Sequence, residues 1–192
     1  MAIIRFAGEE DAENLLEIYG KYIKTPVTFE CSLPSAEEFR RRIRDISSEY
    51  PWLVLEEGGR AAGYAYAHRL KEREAYRWDA ELSVYLSPEY PGRGLGKRLY
   101  GALLELLALQ NIRAAYACIT APNPRSEGLH RALGFSDTGR WPKAGYKDGA
   151  WHDVIWLVKE LAPAESEPAP FLPVGQLGRE KVQSVLQKFG AE

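Results

Sequence analysis

The sequence is poor in the residues that build disulfides and metal centres. It has two cysteines and three histidines among 192 residues, and none of them stands at a metal-ligand or redox spacing. No apolar run approaches the roughly 18 residues of a membrane span. A formal net charge of −2 offers no basic surface for nucleic acid. We therefore expect no bound metal, no membrane partner and no nucleic-acid partner.

The N-terminus and the cysteines indicate the cellular compartment. Residues Met1–Phe6 enter a strand-like pattern directly and lack the features of a secretory signal. Cys31 and Cys118 are therefore expected to be free thiols in a reducing environment, with Cys118 in the core of an apolar strand. These observations predict a cytoplasmic protein.

The composition changes near residue 160. The chain is 45% hydrophobic and 27% charged, which is typical of a soluble globular domain, and its length suits one domain with a tail. Residues 162–175 carry four prolines among small and acidic residues, and residues 179–189 have helical spacing. We predict a domain over 1–161 and a Pro-rich linker with a short helical tail over 162–192. The tail could dock on the body, dock on a partner chain, or stay loose.

Hydrophobic periodicity predicts a mixed order of strands and helices. Strands are predicted at residues 2–6, 52–56, 60–68, 81–86, 113–120 and 151–158, and helices at 9–21, 36–47, 95–110 and 123–133. Ser35 and Glu38 form a capping box at the start of the second helix. The order β-α-α-β-β-β-α-β-α-β predicts an α/β (α+β) fold, with a mixed and largely antiparallel sheet flanked by helices.

A glycine-rich loop joins the strand Ala80–Leu86 to the longest predicted helix. Glycine lets backbone N–H groups approach a ligand, and a helix N-terminus attracts anions, so the loop is suited to a diphosphate. Its glycines and cations are Gly92, Arg93, Gly94, Gly96 and Lys97. Arg98 follows where a P-loop needs Ser or Thr, and the spacing is not that of a dinucleotide fold. The alternative to a diphosphate-binding loop is a glycine-rich turn that caps a core helix.

Several separated blocks resemble a known family. Residues 80–109, followed by Ala121–Phe135, resemble the GNAT superfamily of acetyl-CoA-dependent N-acetyltransferases. The blocks Tyr50–Val54, Ala75–Tyr85 and Gly149–Val154 are similar to phosphinothricin and methionine sulfoximine N-acetyltransferases. The resemblance covers about residues 2–160 and implies the GNAT fold and a homodimer. It also implies direct transfer of an acetyl group from acetyl-CoA to the amine of a small amino acid analogue, in a ternary complex and without a metal.

The resemblance places acetyl-CoA on the glycine loop and the preceding strand. The backbone of Val84 and Leu86 would pair with the pantetheine like an added strand, at a bulge that splays the next strand. The N–H near Val84 would face the thioester oxygen. Pro91 stands where the family usually has Gln or Arg, and Arg93 is expected to compensate. The backbone N–H groups expected to hold the pyrophosphate belong to Gly92, Arg93, Gly94, Leu95, Gly96 and Lys97.

Glu81 is the candidate general base. Strand alternation puts it on the same face as Asp79 and Ser83, and the resemblance assigns this position the removal of a proton from the acceptor ammonium. The alternative is a solvated strand glutamate.

His130 is the candidate proton donor for the leaving thiolate. It lies seven residues, or about two helical turns, after Asn123, so both residues share a helix face. Many relatives have a tyrosine at this position, and a histidine can do the same work near neutral pH. The alternative is a structural histidine. Asn123 is expected to cap the helix and, by resemblance and together with Ser126, to contact the cofactor.

The acceptor site is the least specified part of the sequence. Arg77 could hold a carboxylate with two parallel hydrogen bonds, and Phe29 and Tyr76 could form walls, with Glu30 and Lys147 as further candidates. For each of them a surface role is an equal alternative. The alternatives for the whole protein are an enzyme for another small amine or a protein N-terminus, a CoA-binding module without turnover, and an interaction protein acting through its Pro-rich tail.

Overall fold

The computed structural model describes residues 2–164 and 167–190; the remainder of the expected tail, residues 165, 166, 191 and 192, lies outside the described residues. A seven-stranded sheet forms the centre, in the order β1-β2-β3-β4-β5-β7-β6. Only β4 and β5 run parallel; the other neighbouring pairs are antiparallel. The predicted mixed, largely antiparallel sheet is confirmed. The strands are β1 Ala2–Phe6, β2 Trp52–Glu57, β3 Arg60–Arg69, β4 Asp79–Leu86, β5 Ala114–Ala121, β6 Ser136–Lys147 and β7 Ala150–Glu160.

In the described part of the chain, five α-helices flank the sheet, with bounds close to those predicted. They are α1 Ala12–Gly20, α2 Ala36–Ser47, α3 Leu95–Leu109, α4 Pro124–Ala132 and α5 Arg179–Gly190. Local signals define their ends: the Ser35 hydroxyl accepts from the Glu38 N–H at 3.1 Å, and Gly134 follows α4 with a φ of 85°. No helix within the described ranges has the length and apolar character to cross a bilayer.

The two faces of the sheet bury separate cores because side chains alternate along each strand. Leu53 and Leu55 of β2 lie in a core with the leucines of α3, and Trp52 and Val54 lie in a second core with α1 and α2. All four β2 side chains are at most 2% exposed. Burying each leucine contributes about 2 kcal/mol, so the helices hold the sheet from both sides.

Strand β6 was not predicted. Its sequence contains Gly139, Pro142 and Gly145, which weaken a strand pattern, and most of its side chains are exposed. It lies at the sheet edge, and its pairing with β7 is interrupted by two register shifts. Edge strands tolerate proline because one side makes no ladder hydrogen bonds. Because most side chains of β6 are exposed, the strand also needs no apolar alternation.

The C-terminal segment packs onto the body, the first of the three alternatives for the tail. Phe171 and Val185 are each 8% exposed and belong to the same core as α3. Arg98 of α3 donates from Nε to the Phe189 carbonyl at 2.8 Å and from Nη2 to the Gly190 carbonyl at 2.7 Å. The docked helix α5 therefore braces the helix that carries the glycine loop. The division of the chain at residue 161 stays a prediction.

Candidate active site

A cleft opens where β4 and β5 separate. Their parallel pairing covers only Asp79–Glu81 against Ala114–Tyr116. Beyond it the strands diverge, and the gap is lined by residues that include Val84 of β4, Thr120 of β5 and His130 of α4. The pairing of β3 with β4 keeps one continuous register. The prediction of a bulge in β4 was therefore wrong, because β4 and β5 separate without one.

The free edge of β4 faces this cleft. The Ser87 N–H donates to the Ala62 carbonyl at 2.9 Å, and hydrogen-bonded positions alternate along an antiparallel pair. Ser83 and Tyr85 therefore also bond toward β3, while Val84 directs its N–H and C=O into the cleft. The Val84 backbone is therefore open to an extended ligand, the position at which the resemblance places the pantetheine.

Leu86 shares this free edge, but a side chain already occupies its backbone groups. The Tyr22 hydroxyl donates to the Leu86 carbonyl at 2.6 Å and accepts from the Leu86 N–H at 3.3 Å. The Tyr22 ring packs against Tyr85 at 5.3 Å between centroids. Burial raises the pKa of Tyr22, so the hydroxyl stays protonated. A ligand that pairs with Leu86 must displace Tyr22.

The cleft is closed at the end where β4 still pairs with β5. Glu81 is the last paired residue of β4 there, just before cleft-lining Leu82. It is half-buried and stands between His68 of β3 and Tyr116 of β5 in the sheet registers. Burial raises the pKa of Glu81, and the positive charges of His68 and Lys71 oppose this rise. A raised carboxyl pKa moves toward the range in which a general base works best at neutral pH.

His130 is buried in the cleft wall and has a defined tautomer. It is 2% exposed, and its Nδ1 lies 2.7 Å from the Ser126 carbonyl oxygen. A carbonyl can only accept, so Nδ1 carries the proton. The buried Nε2 has no partner among the described residues, and burial lowers the pKa of His130. At neutral pH Nε2 is therefore an acceptor. This geometry disfavours the expected role of a ready proton donor and favours a relay that must first take up a proton.

Tyr100 and Cys118, which also carry acidic hydrogens, line the cleft as well. Burial raises the pKa of Tyr100 well above its usual value, so its hydroxyl remains a donor. Cys118 was expected in the core, but the residue is exposed at the cleft. Desolvation of its thiol and the nearby Glu81 carboxylate raise the pKa of Cys118 to about 12. The thiol stays protonated at neutral pH and is not suited to act as a nucleophile.

The glycine loop turns through left-handed backbone conformations at two positions. Gly92 has a φ of 72° and Gly94 a φ of 69°, a region that costs other residues about 1–2 kcal/mol. The first helical bond of α3 runs from the Arg98 N–H to the Gly94 carbonyl at 3.1 Å. The preceding N–H groups have no intrahelical partner and can bind an anion. They belong to Leu95, Gly96 and Lys97.

Gly96 and Arg93 of the glycine loop make contacts within the protein in addition to any contact with a bound phosphate. Gly96 is buried, and a Cβ added there would lie 3.1 Å from the Leu129 side chain and 3.2 Å from the Leu86 side chain, so a larger residue would have to shift these two leucines whatever the Gly96 N–H binds. The Arg93 guanidinium pairs with Glu57 at 2.6 Å. The arginine side chain is 54% exposed, so the pair contributes little to stability but holds the cation beside the loop.

Asn123 caps α4, as predicted. Its side-chain oxygen accepts from the Ser126 N–H at 3.2 Å, and both residues line the cleft with His130. The structure thus brings Val84, Asn123, Ser126 and His130 to one cleft. No group of three or more potential metal ligands occurs among the described residues.

The chain is similar to known acetyltransferases over most of its length. Residues 4–156 match the model of the acetyltransferase (GNAT) domain. The chain belongs to the GNAT acetyltransferase family. It is 39% identical over 176 residues to a phosphinothricin N-acetyltransferase of Streptomyces viridochromogenes, covering 91% of this chain and 95% of that protein. An L-methionine sulfoximine/L-methionine sulfone acetyltransferase of Pseudomonas aeruginosa is 34% identical over 170 residues, covering 87% of this chain and 99% of that protein.

The fold of a GNAT enzyme is also supported by solved structures. A phosphinothricin acetyltransferase from Sinorhizobium meliloti in complex with AcCoA has a TM-score of 0.83 and 35% sequence identity, covering 88% of this chain and 93% of that chain. The resemblance and the fold class inferred from the sequence are confirmed.

The three predicted acceptor residues lie outside the cleft lining. Phe29 is 39% exposed, although Val27, two residues earlier, lines the cleft. Tyr76 is 41% exposed. The Arg77 guanidinium lies 5.7 Å from the centroid of the Phe171 ring, a cation–π contact with the C-terminal segment. Of the three, only Phe29 belongs to a segment that reaches the cleft.

Sequence reasoning missed Tyr22, Val27 and Tyr100 in this GNAT site. Tyr100 follows Gly96 by one helical turn, and that spacing could have indicated that it shares a helix face with the glycine loop. Tyr22 carried no local signal, because its contact joins residues 64 positions apart.

Proposed function

We propose that this enzyme transfers the acetyl group of acetyl-CoA to the amine of a small amino acid analogue of the phosphinothricin or methionine sulfoximine type. The observation that carries the proposal is the free backbone edge at Val84, flanked by Glu81 and facing His130. The names of the relatives give the acceptor class. The helix N-terminus and the free edge fit the two ends of acetyl-CoA, a diphosphate and an extended amide chain.

In this mechanism Glu81 acts on the acceptor and Val84 on the thioester. The raised pKa of Glu81 suits the removal of a proton from the acceptor ammonium, directly or through water. The free N–H of Val84 donates to the thioester oxygen, where negative charge develops during attack. The loop N–H groups from Gly92 to Lys97 hold the pyrophosphate and fix the distance from the loop to Val84.

His130 serves the leaving sulfur as a relay. Its neutral Nε2 takes up a proton released during attack and passes it to the thiolate, while the Ser126 carbonyl holds Nδ1–H in place. Asn123 and Ser126 line the wall next to the sulfur. No covalent enzyme intermediate is needed, since the amine attacks the thioester directly.

The acceptor side is proposed with unequal support. Phe29 belongs to the loop that places Val27 in the cleft, so the structure favours it as part of the acceptor wall. Tyr76 and Arg77 rest on the resemblance alone.

The decisive experiment compares acceptors side by side. Acetyl-CoA-dependent thiol release is measured with L-phosphinothricin, L-methionine sulfoximine, a set of other small amines and a peptide with a free N-terminus. The proposal expects the highest kcat/KM with one of the first two. A higher value with the peptide or another amine would replace the acceptor class. Tight CoA binding without thiol release from any acceptor would favour a non-catalytic module.

We further propose that the enzyme is a cytoplasmic homodimer that uses the β6–β7 edge. Trp141, Tyr146 and Trp151 are 53%, 60% and 61% exposed on these strands, and exposed aromatic side chains grouped near the edge of a sheet are typical of an interface. The two free cysteines fit a reducing compartment. Sedimentation of the wild type and of Trp151→Ser tests the interface: a dimer that the substitution dissociates supports it, and a monomeric wild type contradicts it.

A further inference from the structure

Lys147 is a buried lysine whose role the mechanism leaves open. It is 3% exposed and is the only buried residue of β6. An ammonium group is costly to bury unless strong acceptors surround it. Its Nζ donates to the Thr25 carbonyl at 2.7 Å and to the Thr28 carbonyl at 2.6 Å. Two main-chain carbonyls of one loop therefore hold the charge, and in return the charge holds the loop.

A second contact seats the same loop on the hairpin. At Gly145 of β6, an added Cβ would lie 2.4 Å from the Phe29 ring, so the ring occupies the space above this glycine. His152 of β7, which pairs with Gly145, lies 6.3 Å from Phe29 between ring centroids. The His152 Nε2 is 3.2 Å from the Lys147 carbonyl. We call residues 25–30 the acceptor loop, and its two anchors are Lys147 and the Phe29 seat at Gly145.

The acceptor loop reaches the reacting end of the cleft. Val27, between the two carbonyls that Lys147 holds, lines the cleft. The Thr28 hydroxyl bonds to the Tyr19 hydroxyl at 2.7 Å, and the Tyr19 ring packs edge-on against cleft-lining Tyr85 at 4.9 Å. Movement at either anchor would therefore reach the cleft lining through Val27 and Tyr85. The glycine loop and the free N–H of Val84 share neither anchor.

We propose that Lys147 and Gly145 are positioning residues that fix the acceptor loop and so set affinity for the acceptor, independently of acetyl-CoA. This inference rests on the proposed function, because it takes Phe29 and Val27 as the acceptor side of the site. The inference also explains why the charged Lys147 side chain is buried in an otherwise exposed strand, because this side chain orders a loop that has no regular structure of its own.

The first test replaces Lys147 with methionine, which has similar length and no donors, with Lys143→Met on the same strand as the matched control. We expect the KM for the acceptor to rise about tenfold in Lys147→Met, since two charge-assisted hydrogen bonds are lost. The KM for acetyl-CoA should stay within about twofold in both variants. Equal increases in both KM values, or no change in either, would overturn the proposal.

The second test remains available if Lys147→Met fails to fold. Gly145→Ala should push Phe29 from its seat and raise the acceptor KM, while in a Phe29→Ala background the same substitution should have almost no effect. An effect of Gly145→Ala that is equal in both backgrounds would contradict the assigned contact.

A third readout needs no acceptor and separates this inference from the proposed function. Amide hydrogen exchange in residues 25–30 should speed up by about tenfold in Lys147→Met, while residues 92–98 remain unchanged. If the wild type turns over a different amine, the proposed acceptor class fails while faster exchange still supports the inference. Unchanged exchange in the acceptor loop would overturn the inference whatever the acceptor.

Discussion

Replacing Glu81 with glutamine tests two properties of this carboxyl group separately: the stability lost by burying its charge, and the activity gained from its use as a general base. Glutamine keeps the size and shape of the side chain but cannot accept a proton at neutral pH. Glu81 lies half-buried between His68 and Tyr116 in the sheet. The substitution therefore changes the chemistry at the closed end of the cleft and leaves its packing almost unchanged.

The structure predicts opposite effects on activity and on stability. Burial raises the pKa of Glu81, so the native state binds its proton more tightly than the unfolded state does. The ionised carboxylate then costs stability above that pKa, and the cost disappears as the pH falls. At pH 8 Glu81→Gln should keep or raise the free energy of unfolding. A general base contributes about 10²–10⁴ to the rate, so kcat should fall by at least about 100-fold, or about 2.7 kcal/mol in the barrier.

The assay measures kcat at saturating acetyl-CoA and acceptor from about pH 5 to about pH 9. The wild-type kcat should decline on the acidic side, through a pKa above the usual 4.5 of a glutamate, because protonated Glu81 cannot act as a base. Glu81→Gln should lack this decline. Urea unfolding at pH 8 measures stability, and Glu37→Gln on the exposed face of α2 is the control.

Three results would refute the reasoning. A variant with kcat within about threefold of the wild type would show that Glu81 is not the base. An acidic decline that persists in Glu81→Gln would assign the titration to another group. A free energy of unfolding at pH 8 lower than that of the wild type by more than about 1 kcal/mol would show that the ionised carboxylate stabilises the fold.

Three further predictions concern two residues at the cleft and one in the C-terminal segment. Because burial lowers the pKa of His130, the native state favours its neutral form, so wild-type stability should fall as the pH drops below about 6.5; His130→Gln should lack this part of the loss in urea unfolding at acidic and neutral pH, and an unchanged pH dependence would show that burial does not lower the pKa of His130. Tyr22→Phe removes the hydroxyl that occupies the backbone of Leu86, so the KM for acetyl-CoA should fall by about threefold; a rise would show that this hydroxyl contributes to cofactor binding. Phe171 packs on Tyr50 at 5.2 Å between centroids, and Phe171→Ala should lower the free energy of unfolding by about 3 kcal/mol in urea titration, whereas wild-type stability would show that the C-terminal segment is not part of the cooperative core.

The elements that the sequence predicted correctly are those with local causes. The caps at Ser35 and Asn123, the leucine periodicity of α3 and the alternation in β2 and β3 each arise within one element, so their signals lie within a few residues of one another. Strand β6 had no such signal, because an exposed edge strand with Gly139, Pro142 and Gly145 needs neither apolar alternation nor regular pairing.

For the site, the sequence by itself determined the order of the parts. These are a strand that ends in a glycine loop, Glu81 on that strand, and Asn123 on the same helix face as His130. Only the tertiary structure decided how those parts are held. It placed the Tyr22 hydroxyl on Leu86, 64 residues away, joined Lys147 to a loop 122 residues away, and buried His130 in the cleft wall, which lowers the pKa of its imidazole. Such contacts depend on where elements meet in space and on which groups lose water there, and neither can be read from the spacing of residues along one element.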